Sequence, residues 1–182
     1  MPNRTPSQTV GPFFSLGLVW EDGGKVLFSE PGERITLAGR VLDGAGAPVE
    51  GALLETWQAD AAGKVPGGGD GPRPHGYGRV YTGADGGYAI ETVMPGAYTG
   101  PGGQRYAPQL EVMIFARGLL KAVRTRVFLA GLDAIQDDPL GRAVGNADRL
   151  MTLVAARDPR DTKRYRWDIR LQGDRETVFI EC

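Results

Sequence analysis

From residue 31 onward the chain is a run of short apolar segments cut by clusters of glycine, proline and aspartate, and few folds accept that pattern. Ile35, Leu37 and Val41 alternate with Thr36, Ala38 and Arg40, the period of two that marks a half-buried strand. Further strand signals follow at 52–58, where Trp57 is the expected core anchor, and at 77–82, 88–93, 109–117, 123–129, 150–155, 164–171 and 176–180. In 109–117, Leu110, Val112, Ile114 and Ala116 share one face, while Gln109, Glu111, Met113 and Phe115 share the other. In 123–129, Val123, Thr125, Val127 and Leu129 are expected inward, opposite Arg124, Arg126 and Phe128. In 164–171, Tyr165, Trp167, Ile169 and Leu171 are expected inward. Asp85-Gly86 tolerates the positive φ of a tight turn and predicts a hairpin between 77–82 and 88–93. Residues 129–149 read as a loop with short helical turns. Strands this short, with 28 glycines and 13 prolines between them, predict an all-β chain. The expected fold is a single-domain β-sandwich of mixed strands whose long loops carry function. No internal repeat, heptad or second domain interrupts it.

The first thirty residues lack that period and are expected to form an N-terminal arm (1–30) packing on a partner chain, ahead of a sandwich domain at 31–182. Pro12 restricts Gly11, so the segment around them runs extended. Phe13, Phe14, Leu16, Leu18 and Trp20 give the arm apolar groups that need another surface.

Several function classes fall away. The net charge of −1 leaves no basic footprint for nucleic acid. No apolar run reaches the roughly 18 residues of a membrane-spanning helix, and the N-terminus lacks the apolar stretch of a signal peptide. Cys182 is the only cysteine, so no intrachain disulfide forms, which fits a reducing cytoplasm. The glycine-rich loop at 59–74 has no Lys-Ser/Thr pair and is not a phosphate cradle. The acidic stretch at 137–142 lacks the spacing and terminal glutamate of a calcium loop. His75 is the only histidine and is expected to hydrogen-bond at the surface rather than bind metal. Glu55, on a strand beside Trp57, is expected to be a paired structural charge rather than a catalytic acid.

Five segments stand in a fixed order: Leu54-Glu-Thr-Trp-Gln-Ala-Asp, Gly76-Tyr-Gly-Arg, Ala84-Asp-Gly-Gly-Tyr, Met94-Pro-Gly-Ala-Tyr and Ala107-Pro-Gln-Leu-Glu-Val. With the ending Tyr165-Arg-Trp-Asp-Ile-Arg-Leu, this series resembles the intradiol ring-cleavage dioxygenases over nearly the whole chain. In catalytic chains of that family, two tyrosines and two histidines hold Fe(III). The matching positions here are Val65, Tyr98, Gln109 and Glu111, so three of the four ligands are absent. Ferric iron favours anionic oxygen and imidazole nitrogen. Tyr98, Glu111 and the Gln109 carbonyl offer oxygens, but an amide is a weak ligand and Val65 offers none. No metal and no catalytic residue are therefore expected in this chain. Glu111 is instead expected to take a donor from Tyr98 or a nearby arginine.

The resemblance is to the non-iron-binding (alpha) subunits of two-subunit members. It implies an iron-binding beta subunit as partner, in a higher alpha–beta oligomer, with Fe(III) in the partner and with protocatechuate and O₂ as substrates. It further implies that Thr9, Gly11 and Pro12 line the partner's substrate pocket. Thr125-Arg-Val-Phe matches a segment that brings an arginine to the same pocket, which gives Arg126 a role toward the substrate's carboxylate. Such a subunit contact is expected to exceed about 2,000 Å². Two other readings stay open: a β-sandwich binding or structural module, and a self-sufficient dioxygenase with an altered metal site.

Overall fold

A computed structural model of the chain describes residues 8–11, 13–18, 20–67 and 74–181. Its body is two stacked sheets. In the first, β1 (Arg34–Leu42) is the central strand. It pairs antiparallel with β4 (Gly87–Val93), from Arg34 opposite Val93 to Arg40 opposite Gly87. Along its other edge it pairs parallel with β10 (Arg164–Arg166) and then with β11 (Ile169–Arg170). The short β9 (Ala156–Arg157) closes that side, antiparallel to β10. The second sheet is antiparallel throughout, in the order β3 (Tyr77–Tyr81), β2 (Leu53–Gln58), β7 (Gln109–Phe115) and β8 (Val123–Phe128). A small ribbon, β5 (Tyr98–Thr99) with β6 (Arg105–Tyr106), lies in the connection before β7.

The sheets share one core. Leu37, Val41, Ile90, Tyr165, Trp167 and Ile169 reach it from the first, and Leu54, Leu110, Val112, Ile114 and Val127 from the second. All but Trp167, which lies between β10 and β11, are inward residues of alternating strands, and burying each aliphatic side chain stabilises the fold by about 1.5–3 kcal/mol. Parallel and antiparallel pairings thus combine in an all-β sandwich.

One close approach fixes the joint between β10 and β11. The Trp167 N–H donates to the Ala38 carbonyl at 2.9 Å, and the Trp167 carbonyl accepts from the buried Tyr88 hydroxyl at 2.7 Å. That carbonyl lies against Gly39, where a Cβ would collide with it. One residue on, Asp168 Oδ1 accepts from the Arg40 N–H at 3.0 Å, a side chain continuing the ladder where the backbone leaves it.

Several sequence expectations are corrected. Asp85-Gly86 does form a turn, with Gly86 at φ +72°, but not a hairpin. β3 pairs with β2 in one sheet and β4 with β1 in the other, so the turn carries the chain between layers. Residues 150–155 are not a strand: α4 (Ala147–Met151) runs into them. Asn146 caps α4 by accepting from the Arg149 N–H at 3.0 Å, and buried Leu150 and Leu153 stand three apart, a helical rather than alternating interval. Residues 176–180 are extended but join the second sheet by a single bridge, Ile180 to Arg124, and by the Thr125 hydroxyl, which donates to the Val178 carbonyl at 2.7 Å. Trp57 is not a core anchor. Its inward neighbours Leu54, Thr56 and Gln58 are buried, while Trp57 faces out at 46% exposure.

Phe128 faces away from the main core, as its parity requires, yet it is fully buried. It is covered by Leu150 and Leu153, by Ile135 of α2 (Leu132–Ile135) and by Leu140 of α3 (Pro139–Val144), a second apolar cluster at the end of β8.

Candidate functional site

The outer face of the second sheet gathers the functional candidates. By register, Tyr77, Trp57, Glu111 and Arg126 lie in one row across β3, β2, β7 and β8, and Arg79, Glu55, Met113 and Arg124 lie in the next. All point outward because they alternate with the core residues of their strands.

Glu111 is the hub of the β7–β8 side. Its Oε1 accepts from Arg126 Nε at 2.6 Å, and its Oε2 accepts from Arg124 Nε at 2.8 Å. The Arg126 side chain is only 14% exposed. Its guanidinium lies 5.3 Å from the centre of the Tyr106 ring, and its Nη1 is 3.8 Å from Asp138 Oδ1. Tyr106 stacks on Tyr98 across the β5–β6 ribbon, with ring centres 4.8 Å apart and planes 13° from parallel. The Tyr98 hydroxyl accepts from Gln109 Nε2 at 3.4 Å. The Gln109 side chain is buried, and its Oε1 has no hydrogen-bond partner. Burial pushes the Tyr98 pKa above the ordinary value; Glu111 and Tyr106 add to that, while the Gln109 hydrogen bond and Arg126 oppose it.

Asp138 was missed by sequence reasoning, which weighed its stretch only as a calcium loop. It is fully buried, caps α3 by accepting from the Leu140 N–H at 2.9 Å, and accepts from the Ala107 N–H at 3.1 Å. The Asp138-Pro139 pair carried the signal, since aspartate at the N-cap with proline next is a helix start. Val65 lies in a loop whose entry is pinned by Asp60 Oδ1, which accepts from the N–H groups of Ala62 and Lys64 at 2.9 and 2.8 Å. The Val65 side chain is exposed.

The donor set does not fit a ferric ion. Val65 brings an alkyl group, Gln109 is an amide, and the Glu111 carboxylate is already neutralised by two guanidinium groups, which leaves Tyr98 as the one ligand type suited to the ion. Among the described residues, no group of three or more His, Cys, Asp or Glu could hold a metal.

Between the two rows lies an open cleft of about 310 Å³, lined by Trp57, Glu111, Val112, Met113 and Arg124. On the far side, β3 carries the arm. Phe14, in α1 (Phe14–Leu18), meets the Tyr81 ring at 5.9 Å, and the Trp20 ring meets Tyr77 edge-on at 5.3 Å. Thr9 and Gly11 are exposed, as are Phe13 and Leu16 at 73% and 78%; Pro12 lies outside the described residues. The arm from Phe14 on follows β3, and Arg126 is on β8. Three strand spacings, roughly 14 Å, thus separate the strand on which Phe14 and Trp20 dock from the strand of Arg126. Glu55 is a paired charge, as expected: its Oε1 accepts from the Tyr77 hydroxyl at 2.7 Å and from Arg79 at 2.6 Å. His75 shares a 2.9 Å hydrogen bond with the Ser29 hydroxyl. None of the described helices is long and apolar enough to cross a membrane.

Comparison with known proteins adds to this geometry. A family model described as dioxygenase matches residues 18–173. The chain is 38% identical to the protocatechuate 3,4-dioxygenase alpha chain of Burkholderia cepacia, over 98% of this chain and 97% of that protein. It is 32% identical to the beta chain of the same organism's enzyme, over 78% of this chain and 66% of that protein. Among solved structures, the 3-chlorocatechol 1,2-dioxygenase of Rhodococcus opacus 1CP has the same fold, with a TM-score of 0.65 at 22% identity over 91% of this chain and 71% of that one.

Proposed function

This chain belongs to the intradiol ring-cleavage dioxygenase family, and from that premise we propose that it is the non-iron-binding, alpha-type subunit of a protocatechuate 3,4-dioxygenase. The assembled enzyme adds both atoms of O₂ to protocatechuate and breaks the ring bond between the two hydroxyl-bearing carbons. The product is 3-carboxy-cis,cis-muconate, which enters the β-ketoadipate route of aromatic catabolism. A beta-type partner, in a higher alpha–beta oligomer, holds the Fe(III) and does the chemistry. This chain closes one side of the pocket. Its arm (1–30), which docks on this chain's own β3 through Phe14 and Trp20, also packs on the partner, and Thr9, Gly11, Pro12 and Arg126 face the substrate. The enzyme works in the cytoplasm.

One observation carries the reading: Glu111, at a position where catalytic chains of the family have a histidine, is bound by Arg126 and Arg124. A guanidinium already balances the charge there, and a ferric ion beside it would face a like charge. The full-length likeness to an alpha chain supports the same assignment. Arg126 keeps donors for a second anion. Only its Nε hydrogen-bonds to Glu111, and its Nη1 stays 3.8 Å from Asp138. A substrate carboxylate suits what remains.

The test is metal analysis of the chain purified alone and with a four-ligand partner. Alone, it should carry no stoichiometric iron and turn over no catechol; with the partner, about one Fe(III) per alpha–beta pair should appear. A lone chain with near-stoichiometric ferric iron and tyrosinate-to-iron colour would overturn the proposal.

A further inference from the structure

We infer that Arg79 and Trp20 anchor the N-terminal arm and thereby act as positioning residues for the partner's substrate pocket. The inference rests on the reading of the arm proposed above. The alternate, outward residues of β3 each hold one point of the arm. Tyr81 meets Phe14, and Tyr77 meets Trp20. Arg79 does most. Its guanidinium lies 4.5 Å above the Trp20 ring, its Nη1 donates to the Leu18 carbonyl at 3.4 Å, and its backbone N–H donates to the Gly23 carbonyl at 2.8 Å.

Arg79 is itself held still. Its Nε and Nη2 donate to Glu55 Oε1 at 3.0 and 2.6 Å. The Tyr77 hydroxyl accepts from Nε at 2.8 Å and donates to the same carboxylate at 2.7 Å. Both charged side chains are largely covered, at 14% and 13% exposure. A planar guanidinium can stack on an indole, bind a carboxylate and reach a carbonyl at once, which a lysine ammonium cannot.

The arm cannot hold its own place. Between Gly11 and Leu18 it has one five-residue helix, and a helix that short is not stable alone. A Cβ at Gly11 would meet nothing within 4 Å. The positions of Thr9 and Gly11 therefore follow from where Leu18 and Trp20 dock on β3. In a pocket, a shift of about 1 Å in a positioning group can lower kcat/KM by up to about a hundredfold.

The experiment uses the assembled alpha–beta enzyme with four changes in this chain: Arg79→Met, Arg79→Lys, Trp20→Leu, and deletion of residues 1–11. Trp20→Leu leaves the Glu55–Arg79 pair intact, so it reports even if Arg79→Met does not assemble. Arg79→Met and Trp20→Leu should each raise KM for protocatechuate about tenfold while kcat falls less. Iron content and assembly should stay at parent levels, and hydrogen exchange at the Phe14 and Leu16 amides should quicken. Arg79→Lys should recover only part of the loss. If the deletion raises KM but the point variants keep the parent KM, the anchor is wrong and the reading of the arm stands. A deletion that leaves KM unchanged removes the reading and the inference together. A parallel loss of iron, assembly and kcat in Trp20→Leu would make the contact merely structural and overturn the inference.

Discussion

A carboxylate and a histidine at position 111 would make opposite demands on the charge around them. A neutral histidine on β7 can bind a cation through nitrogen; a carboxylate there must be balanced, and Arg126 and Arg124 on β8 balance it. Glu111→Gln should cost about 1–3 kcal/mol, because Arg126 then loses its hydrogen-bonded carboxylate in a mostly covered place and keeps only Asp138, at 3.8 Å. A lowered urea midpoint checks this, and an unchanged one contradicts it. In the assembled enzyme, Arg126→Ala should raise KM for protocatechuate by roughly 10–100-fold, the worth of one charged hydrogen bond, with iron content unchanged. Equal KM values for parent and variant would take Arg126 out of the pocket. At this scale the sequence was legible where a charge made a demand: a carboxylate on a strand needs a donor, so the pairings of Glu55 and Glu111 could be anticipated. Tyr106 could not. Its stack on Tyr98 and its contact with Arg126 exist only because a ribbon folds back beside β8.

Gly39 sets the limit for the elements of the first sheet. A methyl group there meets the Trp167 carbonyl, so Gly39→Ala must push β10 from β1 or bend the joint before β11. The expected cost is about 1–3 kcal/mol, read by urea unfolding against Gly131→Ala, where a Cβ meets nothing within 4 Å. Equal midpoints would show that the joint relaxes freely. Strand positions in the chain were readable from alternation, and the Asp85-Gly86 turn from its residue types. The partners of those strands were not. A turn signal is local, whereas β3 and β4 are drawn to different sheets by β2 and β1. The helix at 147–151 was hidden for a related reason: six mostly apolar residues fit either period, and the asparagine cap decides between them. Trp57 misled because size suggested burial, while its parity with Glu55 already placed it outside.

At the scale of the whole molecule, burial of several phenols ties stability to alkaline pH. Tyr88 is buried and its pKa lies well above the ordinary 10.0; burial also raises Tyr77, Tyr81 and Tyr98. The neutral phenol is the form favoured in the fold, so the contribution is complete below pH 10 and is lost as pH rises toward the folded-state values. Tm should hold between pH 7 and 9 and fall steadily above 10, and the fall should be smaller in Tyr88→Phe. A Tm flat to pH 11.5 would contradict this. The placing of β1 has a further consequence, one of timing. Its neighbours on one edge are residues 164–170, made after every strand of the second sheet, so on the ribosome that sheet can assemble while the first is still a two-stranded ribbon with a bare apolar face. A nascent chain of this design closes its core only after residues 164–170 have emerged, and its exposed apolar face is open to wrong contacts until then.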